Sequence, residues 1–145
     1  MDGAIHRVGG PSIVEETDRS FAEGCPTGSA VISSAGNLAA KYVIHAVGPF
    51  WSGGNHGEAE LLASAYQTAL QLADTHDCRS VAVPALSTGA YRYPLSDAAE
   101  IAVRTTATFL LTMGKDRPLE LVRFVLFSDD AMAPFQTALA AAKAV

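Results

Sequence analysis

Short apolar blocks alternate along this chain with longer stretches whose apolar positions recur every three or four residues. Four blocks, 29–34, 42–47, 80–85 and 122–127, are rich in β-branched or aromatic side chains and bounded by turn formers. They read as β-strands. The last three are apolar nearly throughout, which predicts strands covered on both faces. Residues 58–75 place Leu61, Leu62, Ala65, Leu70 and Leu72 near helical spacing, and 96–113 do the same with Ala99, Ile101, Val103, Phe109 and Leu110. Ser96, followed by Asp97 and Glu100, is a candidate cap with acidic residues in the first turn. A shorter helix is expected from Pro11 to about Ser20, and the Ala-rich end, 131–145, reads as a terminal helix. Helices alternating with buried strands predict an α/β fold, a three-layer α/β/α sandwich. A four-helix bundle is disfavoured, because 81–83 and 122–127 suit strands better.

Composition narrows the function classes. With 145 residues, 49% hydrophobic and 17% charged, the chain is one domain with a real core rather than a disordered tail. Ten basic against fifteen acidic residues give a formal charge of −5, which argues against nucleic acid as a partner, since that needs clustered Lys and Arg. A small phosphorylated ligand held by backbone N–H groups stays open. Cys25 and Cys78 allow at most one disulfide and lack the paired spacing of a zinc site. No basic-then-apolar leader and no membrane-spanning apolar run stand in the sequence. A cytoplasmic protein without a membrane partner is expected.

The segment richest in chemistry is Pro84-Ala85-Leu86-Ser87-Thr88-Gly89-Ala90-Tyr91-Arg92-Tyr93-Pro94. It follows a strand and precedes a helix, where ligands of open α/β sheets bind. Ser87, Thr88 and Gly89 are small enough to let a phosphate approach the backbone, and consecutive N–H groups there suit an anion nest. The same residues also suit a plain strand-to-helix turn, with Gly for φ > 0 and Pro94 for the helix start. At the N-terminus, Asp2 and His6 stand four apart on one helical face, as a carboxylate orienting an imidazole or a water would. Equally, Asp2 caps a helix and His6 sits exposed. Cys25 has no adjacent base and reads as a buried or idle thiol. His45 reads as a satisfied core histidine. The loop 48–57, with Phe50, Trp51, Gly53, Gly54 and His56, is flexible by composition; Trp51 either flanks a ligand or packs half-exposed.

Several separated motifs agree in order with one family. Asp2-Gly3-Ala4-Ile5-His6, Cys25-Pro26-Thr27-Gly28 with the Ala30-Val31-Ile32 strand, Lys41 to Pro49, Pro84 to Pro94 and Val122 to Ser128 together resemble a macro domain of the MacroD type. The likeness runs over essentially the whole chain. It implies an α/β/α sandwich with a mixed, mostly parallel sheet, and ADP-ribose or an ADP-ribosylated protein as the partner. It further implies that Ser87, Thr88, Gly89, Ala90 and Tyr91 hold the diphosphate by their amides, with Tyr91 near the distal ribose. Asp2, Gly3 and Ala4 contribute to the same ligand, and Phe127 is counted among the contacts. Asp2 and His6 take the catalytic roles. Asp2 positions the water or the distal ribose, and His6 supports it. The implied reaction is hydrolysis of an ester at the distal ribose, in a mono-ADP-ribosylated acidic side chain or in O-acetyl-ADP-ribose, with no metal or other cofactor. A non-catalytic ADP-ribose reader and an inactive fragment are the alternatives.

Against the family pattern, an adenine-contacting Asp, a strand ending in Asn-Ala-Ala-Asn and a Gly-rich loop are expected ahead of residue 1, so the domain 1–145 is expected to be incomplete at its N-terminus. Met1 stands where Val is usual, and the reading frame is expected to extend upstream. The lost strand is central in the family's sheet. Without it, two blocks of backbone groups lie unpaired, each buried group costing about 1–3 kcal/mol against a whole-domain stability of about 5–15 kcal/mol. By that comparison the chain alone is not expected to be an ordinary stable domain. The rival expectation is a dimer or a strand donor that completes the sheet.

Overall fold

A computed structural model describes residues 2–114 and 116–143, with the side chain of Asp2 outside that set. Among the described residues nine elements follow in order: α1 (Asp2–Gly9), α2 (Ser12–Ser20), β1 (Ala30–Ser34), β2 (Tyr42–Ala46), α3 (Glu58–Thr75), β3 (Ser80–Val83), α4 (Leu95–Thr112), β4 (Leu121–Phe124) and α5 (Asp129–Lys143). The expected readings of Met1, Ala144 and Val145 lie outside the described residues.

The two long helices form because apolar residues recur at helical spacing on one face. In α3 the buried stripe is Leu62, Ala65, Tyr66, Ala69, Leu70 and Ala73, the three-and-one alternation of a helix face. In α4, Ala98, Ala99 and Ala102 are buried with Ile101, Val103 and Phe109. The alanines let α3 and α4 pack against each other at close range. Their shared core takes in Val83 of β3 and Phe135 of α5, and a second cluster joins Leu70, Ala73, Phe109 and Leu119. The start of α4 corrects one expectation. Pro94 is the cap residue, with ψ 128°, and no side chain caps the helix; Ser96 lies inside the first turn, where its hydroxyl cannot serve as the cap.

The strands form two separate pairs. β1 and β2 are antiparallel, with Ala30 opposite Ala46 and Ser34 opposite Tyr42. β3 and β4 are parallel, with Ser80 opposite Leu121 and Val83 opposite Phe124. Among the described residues no hydrogen bond joins β2 to β3, yet α3 packs on β1, β2 and β3 alike. The outer edge of β1 is met where the Ser34 amide donates to Glu16 Oε2 of α2 (2.9 Å).

Layering differs between the halves. At β2, Ile44 packs into the cluster of Leu70 and Phe109, while His45, on the opposite face, stacks on His6 of α1 with centroids 6.3 Å apart. That is helix, strand, helix. At β3 and β4, Val81, Val83, Val122 and Phe124 meet the helices, but Ser80, Ala82, Leu121 and Arg123 are exposed. β2 is thus half-covered on both faces, with Tyr42 exposed, while β3 and β4 each leave one face open, so none of the three is fully covered as expected. β3 also stops at Val83 and β4 at Phe124, shorter than the apolar runs, because beyond those points the backbone turns into loops instead of a continuing ladder.

Candidate functional site

The loop from Pro84 to Pro94 leaves the C-terminal end of β3. Its base is fixed by Tyr66, which is 1% exposed. The Tyr66 hydroxyl donates to the Pro84 carbonyl (2.8 Å) and accepts from the Leu86 amide (2.9 Å). Burial pushes the Tyr66 phenol well above its ordinary range, against the downward pull of that amide. Within the loop, Thr88 N–H donates to Ala85 O (3.4 Å), Arg92 N–H to Gly89 O (3.0 Å) and Tyr93 N–H to Ser87 O (2.9 Å). Among the described residues, nothing accepts from the amides of Ser87, Gly89, Ala90 and Tyr91. Four main-chain donors in a span of five residues, facing no acceptor, suit an oxyanion.

Two residues of this loop reach left-handed backbone without being glycine: Ser87 at φ 68° and Arg92 at φ 63°. They bracket the donor turn, and non-glycine residues in this region signal a locally forced conformation. Ser87 Oγ is buried without a hydrogen-bond partner and lies against Gly48, where a Cβ would collide with it. Gly48 is thus glycine because the two loops touch there.

The second wall is the loop after β2. Trp51 N–H donates to Tyr91 O (2.8 Å). The ring of Phe50 stacks on Tyr91, with centroids 3.8 Å apart, and Trp51 tilts onto Tyr93 at 4.8 Å. Tyr93 is buried, and its phenol is raised first by desolvation and then by Asp97, Glu58 and Glu60. The loop is held from beneath by Glu58, the first residue of α3 and 2% exposed. Its carboxylate accepts from the amides of Ser52 (2.8 Å), Gly54 (2.9 Å) and His56 (2.6 Å). Burial works to raise the Glu58 pKa, but these bonds and that of its own amide outweigh it and hold the pKa at about 2.

The expected site residues fall into three places. Ser87, Thr88, Gly89, Ala90 and Tyr91 share the donor turn, with the Thr88 amide already engaged. Gly3 and Ala4 are exposed in the first turn of α1, and His6 reaches His45, whose Nε2 lies 2.8 Å from the Oγ of buried Ser33. The side chain of Asp2 lies outside the described residues. Phe127 is 96% exposed and three residues past the end of β4. Because Val125 N–H donates to Val83 O (2.8 Å), the chain beyond β4 leaves the sheet at the same end as the donor turn. Both cysteines are free.

Glu58 and Phe50 did not stand out as partners of the donor turn in the sequence. The one available signal for Glu58 was an acid directly after a run with four glycines, where a loop amide needs an acceptor.

An α/β scaffold carrying a nest of unengaged amides beyond a strand's C-terminal end is the arrangement of an anion-binding α/β domain. The chain belongs to the macro domain family: the family model, described as Macro domain, matches residues 1–102. A macro domain-containing protein of Caldanaerobacter subterraneus is 55% identical over 131 residues, 89% of this chain and 73% of that protein. An O-acetyl-ADP-ribose deacetylase of Klebsiella pneumoniae (strain 342) is 48% identical over 142 residues, covering 97% of this chain and 79% of the enzyme. The solved Oceanobacillus iheyensis macrodomain with ADP superposes with a TM-score of 0.87 at 36% identity, over 97% of this chain and 74% of its own. A single-residue mutant of that macrodomain, solved with ADPR, gives 0.88 at 35%, over 99% and 78%.

Proposed function

We propose that this protein binds ADP-ribose and hydrolyses an ester on its distal ribose, in O-acetyl-ADP-ribose or in a mono-ADP-ribosylated acidic side chain. The observation that carries the reading is the set of unengaged amides at Ser87, Gly89, Ala90 and Tyr91, which receives the diphosphate without a lysine. Neutral donors explain how a chain of charge −5 holds an anion. The relative named O-acetyl-ADP-ribose deacetylase and the neighbours solved with ADP and ADPR support it.

In this reading the first turn of α1, with Gly3 and Ala4, faces the same ligand through amides that a helix start leaves without intrahelical acceptors. Phe127, an exposed ring at the same end of the sheet, offers a stacking surface. A water beside the diphosphate attacks the acyl carbon. A new carbon–oxygen bond forms, the bond from that carbon to the ribose oxygen breaks, and a proton passes to the departing oxygen. The products are acetate, or the free acidic side chain, and ADP-ribose. Asp2 orients the water or the ribose, and His6, braced by His45, supports Asp2. The two free cysteines fit a reducing, cytoplasmic setting.

Calorimetry with ADP-ribose, run beside an assay of acetate release from O-acetyl-ADP-ribose, tests the reading. Binding with release is expected; no binding refutes it, and binding without release leaves only a reader.

The divided sheet favours one further reading of this protein's partners. Among the described residues no strand pairs with β2 or β3 on the side between them, while both rest on α3, which supports a strand supplied there by a second copy or another donor. Light scattering across a concentration series tests the second-copy form: a mass that stays monomeric counts against it.

A further inference from the structure

The loop from Gly48 to Gly57 should be loose by composition. Four of its ten residues are glycines, two of them, Gly53 and Gly54, have φ 96° and 90°, and Ser52, Gly54 and His56 are exposed. It is nevertheless tied at three amides to one carboxylate. Glu58 Oε2 takes the amides of Ser52 and Gly54, and Oε1 takes that of His56. The tied stretch begins next to Trp51, whose indole lies over Gly54 and against Tyr93. Trp51 and Phe50 in turn engage Tyr91 of the donor turn, by the 2.8 Å backbone bond and the ring stack.

We propose that Glu58 is a positioning residue of the ADP-ribose site: its buried carboxylate gathers the loop amides and so holds Phe50 and Trp51 as a wall against Tyr91 and Tyr93. The inference rests on the ADP-ribose reading above for its ligand, but not for the clamp itself. Glu58 touches no part of the ligand in this scheme. Its effect passes through the loop, and its charged form supplies stronger bonds than a neutral acceptor would. A shorter Asp cannot span all three amides, and Gln presents an NH2 group toward at least one donor.

Charge and position make opposite predictions here. Removing a negative charge near the site would by itself favour an anionic ligand. Weaker binding by Glu58→Gln therefore reports a misplaced wall and not a changed field. Trp51 is the single tryptophan of the chain, so its emission reports the wall directly.

The experiment has two arms. In the unaltered protein, the amides of Ser52, Gly54 and His56 are expected to exchange with deuterium at least about a hundred-fold more slowly than free exposed-loop amides. In Glu58→Gln, they lose that protection and Trp51 emission shifts to the red. ADP-ribose affinity falls on the order of ten-fold. If acetate release is measurable, KM rises by a similar factor while kcat changes less than about two-fold. A circular-dichroism melt separates a local release from global unfolding, and if Glu58→Gln does not fold, the exchange arm on the unaltered protein decides alone. Unprotected amides in the unaltered protein overturn the proposal. So does a folded Glu58→Gln protein with unchanged emission and affinity. Protected amides and a shifted emission in a protein that binds no ADP-ribose uphold the clamp and overturn the ligand.

Discussion

Tyr66→Phe removes one oxygen and nothing else, yet that oxygen joins two ends of the donor loop's base. The hydroxyl donates to Pro84 O at 2.8 Å and accepts from Leu86 N–H at 2.9 Å, inside a residue that is 1% exposed. The ring itself stays packed, so no cavity larger than the oxygen forms. A typical net hydrogen bond contributes about 1 kcal/mol, and a buried group left without a partner costs about 1–3 kcal/mol. Leu86 N–H keeps a second contact to Pro84 O at 3.1 Å, which trims the loss. The expected destabilisation is about 2 kcal/mol, read as the shift of a urea unfolding midpoint at constant slope, or as about 4–8 °C in Tm for a domain of this size. Because Leu86 precedes the first free amide, ADP-ribose affinity is expected to fall several-fold as well. Tyr42→Phe is the control: that residue is 40% exposed, and its substitution should stay within about 0.5 kcal/mol. A Tyr66→Phe protein as stable as the control, with unaltered binding, would falsify the account of the loop's base. The raised phenol also carries a sign. Folded Tyr66 keeps its proton where the unfolded chain has lost it, so stability declines as the pH climbs above about 10.

Three other outcomes follow from the same geometry. Gly48→Ala drives a Cβ into Ser87 Oγ, so ADP-ribose affinity measured by calorimetry should drop about ten-fold or more with a smaller change in Tm; unchanged affinity would mean the two loops move apart freely. The Glu58 carboxyl, held at about 2 when folded against an ordinary 4.5, contributes stability that is complete above about pH 4.5. That contribution is lost as the pH falls toward 2, and an acid titration followed by Trp51 emission should register it first in the loop. Asp2→Ala should lower turnover far more than ADP-ribose affinity; equal turnover would remove the role given to Asp2.

Helices were legible because their evidence is local. The limits of α3, Glu58–Thr75, coincide with the stretch whose spacing announced it, and α4 differs by one residue at each end. Tyr66 was the omission, since its ring counts as apolar while its hydroxyl serves a loop about twenty residues away. Strand ends were less legible. Leu121 and Val125 are apolar but exposed, and an apolar run says how a strand is covered in a complete sheet, not where hydrogen bonding stops in a divided one. The donor turn was legible from Ser87, Thr88 and Gly89 as a place for an anion. Which amides remain available was not, because that depends on carbonyls at Ala85, Ser87 and Gly89 turning inward to take those of Thr88, Tyr93 and Arg92. Glu58 was hidden for a related reason: an acid in a helix's first turn looks like a partner for the dipole, and only the folded loop shows that it faces the other way.

Recognition through peptide N–H groups has a consequence for divergence and for solution conditions. Such donors carry neither a formal charge nor a titratable proton, so their own grip on phosphate should change little across neutral pH. Gly89 and Ala90 are free to drift among small residues, provided the chain keeps its path. In the proposed reading, what drift cannot spare is the pair of forced turns at Ser87 and Arg92, which aim the donors, so that selectivity is written in torsion angles.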